Sequence, residues 1–254
     1  MYPIITLITD FGLKDHYVGA MKGVIFSINP DARIIDISHE IPAHDVFYGA
    51  FTLRNFYRYF PEETIHVAVV DPGVGGRRKP LVVRADGNIF IGPDNGLFTF
   101  IYRDSKSAKV AEITNVKYML SNVSSTFHGR DIFAPAAAHL SLGVAVEELG
   151  KTVRKPVAIE IREPKVGKNE IIGEFIHEDI FGNLITNIPS NLIKPESVFF
   201  IGKTAINGLS KSYAEAPKGK LLAIAGSSGF IEISVNQGRA VDFIEKREKV
   251  RVKS

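Results

Sequence analysis

The chain has 254 residues, 45% of them hydrophobic, enough to bury one large core or two medium ones. Zero cysteines exclude disulfides, thiolate chemistry and Cys-ligated zinc or iron–sulfur sites, and 31 basic against 28 acidic residues, net +3, give no ground for a nucleic-acid partner. No apolar run reaches the roughly 18 residues a membrane span needs, and Met1-Tyr2-Pro3 enters a strand-like segment without the regions of a secretory signal, so a soluble, cytoplasmic protein is expected, with no membrane partner.

Residues 3–9 read as a short apolar strand, 16–28 as a helix stopping at Asn29-Pro30, and 33–37 as a second strand. Over residues 45–60, Val46, Phe47, Ala50, Phe51, Leu53 and Tyr57 fall mainly on one helical stripe that Pro61 ends, and the aromatics are read as core. Residues 64–70 form the third strand; 81–84 and 88–91 flank Asp86-Gly87, a two-residue hairpin signal. Strands separated by helices predict an α/β domain in three layers, its sheet mostly parallel with an antiparallel addition. Residues 132–142 read as a helix closed by Gly143. The charged stretch 151–168, with Pro156 and Pro164, is linker-like, which sets an N-terminal α/β catalytic domain at 1–155 and a second domain at 156–254. Beyond it, 170–176, 183–188, 197–201, 220–225 and 230–235 are short strand patterns, an antiparallel β domain with no convincing helix. The Lys- and Arg-rich residues 245–254 are expected to be a solvated edge or tail.

Chemistry gathers at strand ends. After the third strand comes Asp71-Pro72-Gly73-Val74-Gly75-Gly76-Arg77-Arg78, which delivers a carboxylate, a glycine-rich turn and two guanidinium groups to the place where open α/β sheets bind ligands. Thr9-Asp10-Phe11-Gly12 and Phe127-His128-Gly129-Arg130-Asp131 are similar. Asp10 there suits either the vicinal hydroxyls of a ribose or a cap on the following helix or turn. Gly12, Gly73, Gly75 and Gly76 permit close backbone approach but match neither the Walker nor the dinucleotide fingerprint, so no phosphate cradle is supported. His128 follows Ser124-Ser125-Thr126 and precedes a helix, whose N-terminal dipole end would keep the ring neutral and able to accept a proton.

His39, with Asp36, Glu40, His44 and Asp45, offers metal-ligand types without a metal-site spacing and is read as polar loop; no metal is expected. In the second domain, Glu178-Asp179-Ile180-Phe181-Gly182-Asn183 puts acid, aromatic and amide at one turn, either to stack on and read a purine or as a simple β-turn. Gly226-Ser227-Ser228-Gly229 is either a tight hairpin or a set of backbone donors for a ligand carboxylate.

In order along nearly the whole chain, Thr9-Asp10-Phe11-Gly12, Asp71-Pro72-Gly73-Val74-Gly75, Pro93-Asp94-Asn95-Gly96, Ser125-Thr126-Phe127-His128-Gly129-Arg130-Asp131, Phe181-Gly182-Asn183 and Gly226-Ser227 resemble one family. It is the S-adenosyl-L-methionine (SAM) hydroxide adenosyltransferases, adenosine-forming SAM hydrolases related to the fluorinases and chlorinases. The resemblance implies a C-terminal β-barrel-like domain and a homotrimer whose active sites lie between the N-terminal domain of one subunit and the C-terminal domain of its neighbour. It implies catalytic roles for Asp71, Arg78 and His128, with Arg77 directly beside the arginine position. It further implies a ribose contact for Asp10, a substrate contact for Asp71, adenine contacts for Phe181 and Asn183, and neighbouring substrate contacts for Ser227, Glu232 and Asn236. The halogenating relatives carry Tyr where Asp71 and His128 stand and Ser where Gly129 stands, and the fluorinases insert a long segment where this chain turns at Asp86-Gly87. Water is therefore the expected nucleophile, attacking the ribose 5′ carbon of SAM to leave adenosine and L-methionine without metal or redox cofactor. The rival readings are a metal-dependent phosphoesterase using Asp10, Asp36, His39 and Asp71, and a nucleoside-binding module without turnover.

Overall fold

In the computed structural model, which describes residues 3–253, the chain forms two units, one up to Ile159 and one from Glu160. Seven strands build the sheet of the first unit: β1 (Ile4–Thr9), β2 (Arg33–Ser38), β3 (Ile65–Val69), β4 (Pro80–Ala85), β5 (Asn88–Pro93), β6 (Lys109–Ile113) and β7 (Gly150–Thr152), in the order β2-β1-β3-β5-β4-β6-β7. β2, β1, β3 and β5 pair in parallel. β4 turns back beside β5 through Asp86-Gly87, whose φ angles of 49° and 76° suit a tight hairpin, and β6 and β7 extend that edge by antiparallel pairing.

The helices are α1 (Tyr17–Ile28), α2 (Val46–Phe56), α3 (Thr99–Asp104) and α4 (Ala134–Ser141). On one face of the sheet, Ile5, Leu7, Val67, Val69 and Ile91 share a core with Met21 and Ile25 of α1 and with the alanines of α4. Those small side chains are fully buried, at 134 and 136–138, and let the helix lie close to the strands. On the other face, alternate strand positions meet α2 and its extension: His66 and Phe90 stack at 5.1 Å between ring centres, with Phe56, Tyr57 and Phe60 edge-on around the imidazole. Every residue of β3 is buried because helices cover both faces, which is why its sequence reads as a continuous apolar run.

His66 shows what that burial costs. Its Nδ1 lies 2.8 Å from Thr6 Oγ1, its Nε2 has no hydrogen-bond partner among the described residues, and desolvation pushes its pKa from 6.5 down to about 3. The folded state keeps the ring neutral while the unfolded chain takes up a proton below pH 6.5, so this contribution to stability is complete above pH 6.5 and is lost as pH falls toward 3. The expected slope is about 1.4 kcal/mol per pH unit. Urea unfolding at neutral and acidic pH should show the decline in the wild type, and a Thr6→Val, His66→Leu double variant should lack that share of it. Equal slopes in the two proteins would remove His66 as the cause.

The second unit holds β8 (Lys165–Val166), β9 (Glu170–Glu178), β10 (Leu184–Pro189), β11 (Val198–Ile201), β12 (Thr204–Asn207), β13 (Leu221–Ala225), β14 (Phe230–Val235) and β15 (Lys249–Lys253). The sheet order is β12-β11-β15-β9-β10-β14-β13 with β8 added to β9, all antiparallel. Ser210, just past β12, bridges Ile224 of β13, so the outer strands approach and the sheet curls into an almost closed barrel around Phe199, Ile231, Ile233, Val250 and Val252.

Several elements depart from the sequence reading. Residues 249–253 are not a solvated tail: β15 lies between β11 and β9, with Val250 and Val252 buried and Lys249, Arg251 and Lys253 outward. The two-residue alternation is there, hidden by the charge of its outer face. The helix expected at 132–142 begins earlier, as a π-helical turn over Gly129–Phe133 that runs into α4. α3, β6, β7 and β12, four to six residues long except for the three of β7, are too short for periodicity to reveal.

Candidate active site

β3 runs through Val70 into Asp71, and the glycine-rich loop that follows folds Arg78 back onto it. Arg78 Nε lies 3.0 Å from both carboxylate oxygens and Nη2 2.5 Å from Oδ2, a forked ion pair whose side chains are only 8% and 5% exposed. The neighbouring Arg77 is exposed. Arg78 Nη2 also lies 2.6 Å from His128 Nδ1, and its guanidinium carbon sits 5.5 Å from the centre of the Phe133 ring.

A guanidinium keeps its protons, so Arg78 is the donor in that contact and His128 Nδ1 the acceptor. The imidazole is then neutral, with its proton on Nε2. Burial, and next the adjacent Arg78 charge, hold the His128 pKa below its usual value, while Asp71, Asp131 and a hydrogen bond to the Ser124 main chain act in the opposite direction. His128 is the N-cap residue of the π-helical turn, which no side chain caps; Ser124 Oγ accepts the Phe127 N–H at 3.0 Å and so steadies the turn just before it.

Gly75 brings the two loops together. Its φ is +73°, and a Cβ placed there would lie 2.0 Å from the Ser125 carbonyl oxygen, so the loop carrying Arg78 rests directly on the main chain that leads to His128.

Asp10 lies next door. Its N–H is 3.4 Å from the Val69 carbonyl, and its Oδ2 accepts the His44 N–H at 2.9 Å. It thus steadies the loop after β2 and does not cap α1, whose N-cap residue is His16. His39 faces Thr9 Oγ1 at 2.8 Å and Asp36 Oδ1 at 3.1 Å, and Asp36 also holds Lys22 at 2.5 Å. Asp36 and His39 are thus spent on each other and on their neighbours. Among the described residues, no three His, Asp or Glu side chains are grouped to hold a metal ion.

The second unit has its own cleft of about 380 Å³, lined by Phe181, Asn183, Tyr213, Val235, Asn236, Gln237 and Gly238. Asp179 Oδ1 accepts the N–H groups of Phe181 and Asn183, and its Oδ2 accepts the Asn183 side-chain amide, each at 2.9 Å. With Gly182 at φ +77°, this turn buries Asn183 and leaves Phe181 71% exposed. Asn236 donates its side-chain amide to the Ala216 carbonyl at 2.7 Å. Glu232 is buried, and its Oε1 accepts Tyr213 OH at 2.8 Å and Ser234 Oγ at 2.6 Å, so it stands behind the cleft and orients the tyrosine. Burial, then the Glu232 bond, push the Tyr213 hydroxyl up to about 12. Ser227 is exposed in the hairpin closed by Gly226 and Phe230 and does not line this cleft. Tyr213 escaped the sequence reading because it lies in a polar loop, without periodicity or motif to mark it.

Residues 5–150 match the model of the SAM hydroxide adenosyltransferase N-terminal domain, and residues 173–253 that of the C-terminal domain. The chain is 36% identical over 251 residues to the (R)-S-adenosyl-L-methionine hydrolase of Salinispora arenicola, covering 95% of this chain and 94% of that one. It is 37% identical over 265 residues to the enzyme of the same name from Methanocaldococcus jannaschii, covering 96% and 95%. Among solved structures, an uncharacterized conserved protein from Thermotoga maritima superposes with a TM-score of 0.93 at 36% identity, covering 99% of this chain and 100% of that one.

Proposed function

The chain belongs to the SAM hydroxide adenosyltransferase family, and from that membership we propose that it is the hydrolase that cleaves S-adenosyl-L-methionine to adenosine and L-methionine, with Asp71, Arg78 and His128 activating the water. The single observation that carries the assignment of residues is the continuous contact from carboxylate to guanidinium to imidazole at the end of β3. A binding module for a sulfonium cation has no use for a buried guanidinium, whereas water activation does.

The reaction places its demand on the nucleophile. Water oxygen bonds to the ribose 5′ carbon as the carbon–sulfur bond breaks. The electron pair leaves with sulfur, which departs as a neutral thioether, so no general acid is needed. The proton leaves the water. His128 Nδ1 is occupied by Arg78, so the base is Asp71, whose oxygens keep lone pairs beyond those facing the arginine. Arg78 lowers the cost of developing hydroxide, and the neutral imidazole keeps the guanidinium aimed. Orienting the water against the carbon can contribute about 7–11 kcal/mol.

In this reading Asp10 takes the ribose hydroxyls, and the mostly apolar cleft of Phe181, Asn183, Tyr213 and Asn236 takes the adenine, with Glu232 holding Tyr213 from behind and Ser227 of the neighbouring hairpin a further substrate contact. The protein acts as a homotrimer whose sites combine the first unit of one subunit with the second of its neighbour. Ile180, Phe181 and Phe243, 85%, 71% and 59% exposed in the single chain, support an additional covering surface. No described helix is long and apolar enough to cross a membrane, and we place the enzyme in the cytoplasm. Incubating chelator-treated protein with SAM in ¹⁸O-labelled water should give labelled adenosine and unlabelled methionine by mass spectrometry. Intact SAM with adenosine still bound would replace this reading with that of a binding module.

A further inference from the structure

We infer that Asp131 is a positioning residue for this reaction: it fixes the turn that carries His128 and so holds the imidazole against Arg78. The inference rests on the reading of His128 as part of the water-activating group. Asp131 is completely buried. Its Oδ1 accepts Arg130 Nε at 2.6 Å, and its Oδ2 accepts Arg130 Nη2 at 3.1 Å and the Ser124 N–H at 2.8 Å. Ser124 Oγ in turn accepts the Phe127 N–H at 3.0 Å, and the Asp131 N–H donates to the Phe127 carbonyl at 3.1 Å.

These bonds close a ring from Asp131 through Ser124 and Phe127 back to Asp131, and His128 is the residue just past Phe127 in that ring. The Asp131 carbonyl accepts the Leu120 N–H at 2.9 Å, which ties the ring to the preceding loop. Arg130 completes the arrangement by folding over the Phe127 ring, 5.1 Å from its centre, on the way to the carboxylate. A carboxylate is stable in full burial only when its charge is met by donors, and here three side-chain and main-chain groups meet it. The same carboxylate acts on His128 through space. The charges acting on the ring are Arg78 and Asp71 from the loop after β3 and Asp131, paired with Arg130, from the π-helical turn.

The test follows His128 by NMR of ring-labelled histidine in the full chain, its signal among seven histidines identified by its loss in His128→Gln. Asp131→Asn should lower kcat at least about tenfold with KM within about threefold, because the imidazole is misplaced and substrate contacts are not. It should also move the His128 titration to lower pH, since Arg130 is left as a net positive charge. Arg130→Gln, which leaves the carboxylate unpaired, should move it to higher pH. Ser124→Ala removes the bond to Phe127 but no charge, and should lower kcat without moving the titration. A merely structural role would not produce opposite titration shifts in the two charge variants. The inference is overturned if folded Asp131→Asn keeps kcat within about twofold of wild type, or if the His128 midpoint stays in place in both charge variants. Should Asp131→Asn fail to fold, Arg130→Gln and Ser124→Ala decide. Should wild type leave SAM intact, the functional reading fails, and the titrations, which need no substrate, still decide whether Asp131 governs His128.

Discussion

Asp71→Asn is expected to lower kcat about a thousandfold with KM within about threefold, the signature of an interaction made in the transition state. Asparagine keeps the shape of the side chain but exchanges one acceptor oxygen for an NH₂ that faces the Arg78 fork instead of receiving it. The water loses its proton acceptor, and the guanidinium loses the counter-charge that aims it at His128. His128→Gln makes the informative comparison. A glutamine carbonyl can still accept from Arg78, so this variant should retain roughly ten times the activity of His128→Ala if the imidazole serves as the acceptor that holds Arg78 in place. Equal, complete loss in both would make His128 the base, and a near-normal rate in Asp71→Asn would remove the carboxylate from the mechanism.

Gly75→Ala should be among the most damaging single-methyl changes in the first unit. It asks alanine to adopt φ +73° and places a methyl carbon 2.0 Å from the Ser125 carbonyl oxygen, so one of the two loops must retreat. The expected cost is about 3 kcal/mol of stability, with a loss of kcat of about a hundredfold as Arg78 moves away from His128. Gly143→Ala is the control: its φ is +94°, yet nothing lies within 4 Å of the added carbon, so only the backbone penalty of about 1 kcal/mol remains and catalysis is untouched. Urea unfolding and steady-state kinetics on both variants check this. If Gly75→Ala behaved like Gly143→Ala, contact between the loops would not be what assembles the site.

What was legible in the residues and what was not follows from the range of the forces involved. The buried strands could be read because covering both faces of a sheet demands an unbroken apolar run, and the hairpin at Asp86-Gly87 because few dipeptides accept its backbone angles. Asp71 and Arg78 share one loop and could be suspected together. That Arg78 reaches His128, and so fixes which imidazole nitrogen is free, depends on packing between segments 50 residues apart. Asp131 looked like one more charged residue after a histidine; its complete burial and closed ring of bonds belong to the fold alone. In the second unit, the turn at Asp179 to Asn183 was visible, but Tyr213 enters the cleft from a loop with no pattern of its own.

The position of β15 bears on how the second unit comes into being. This strand separates β9 from β11, so neither can pair with the other, yet it is synthesised after both, and its first residue meets a partner 75 positions earlier in the chain. The middle of the sheet is therefore the last part to be supplied. Until it arrives, two apolar strand edges stand open, and joining them requires closing a long loop before most of the stabilising contacts exist. This unit should fold slowly and late, with its unpaired edges open to other chains until β15 arrives.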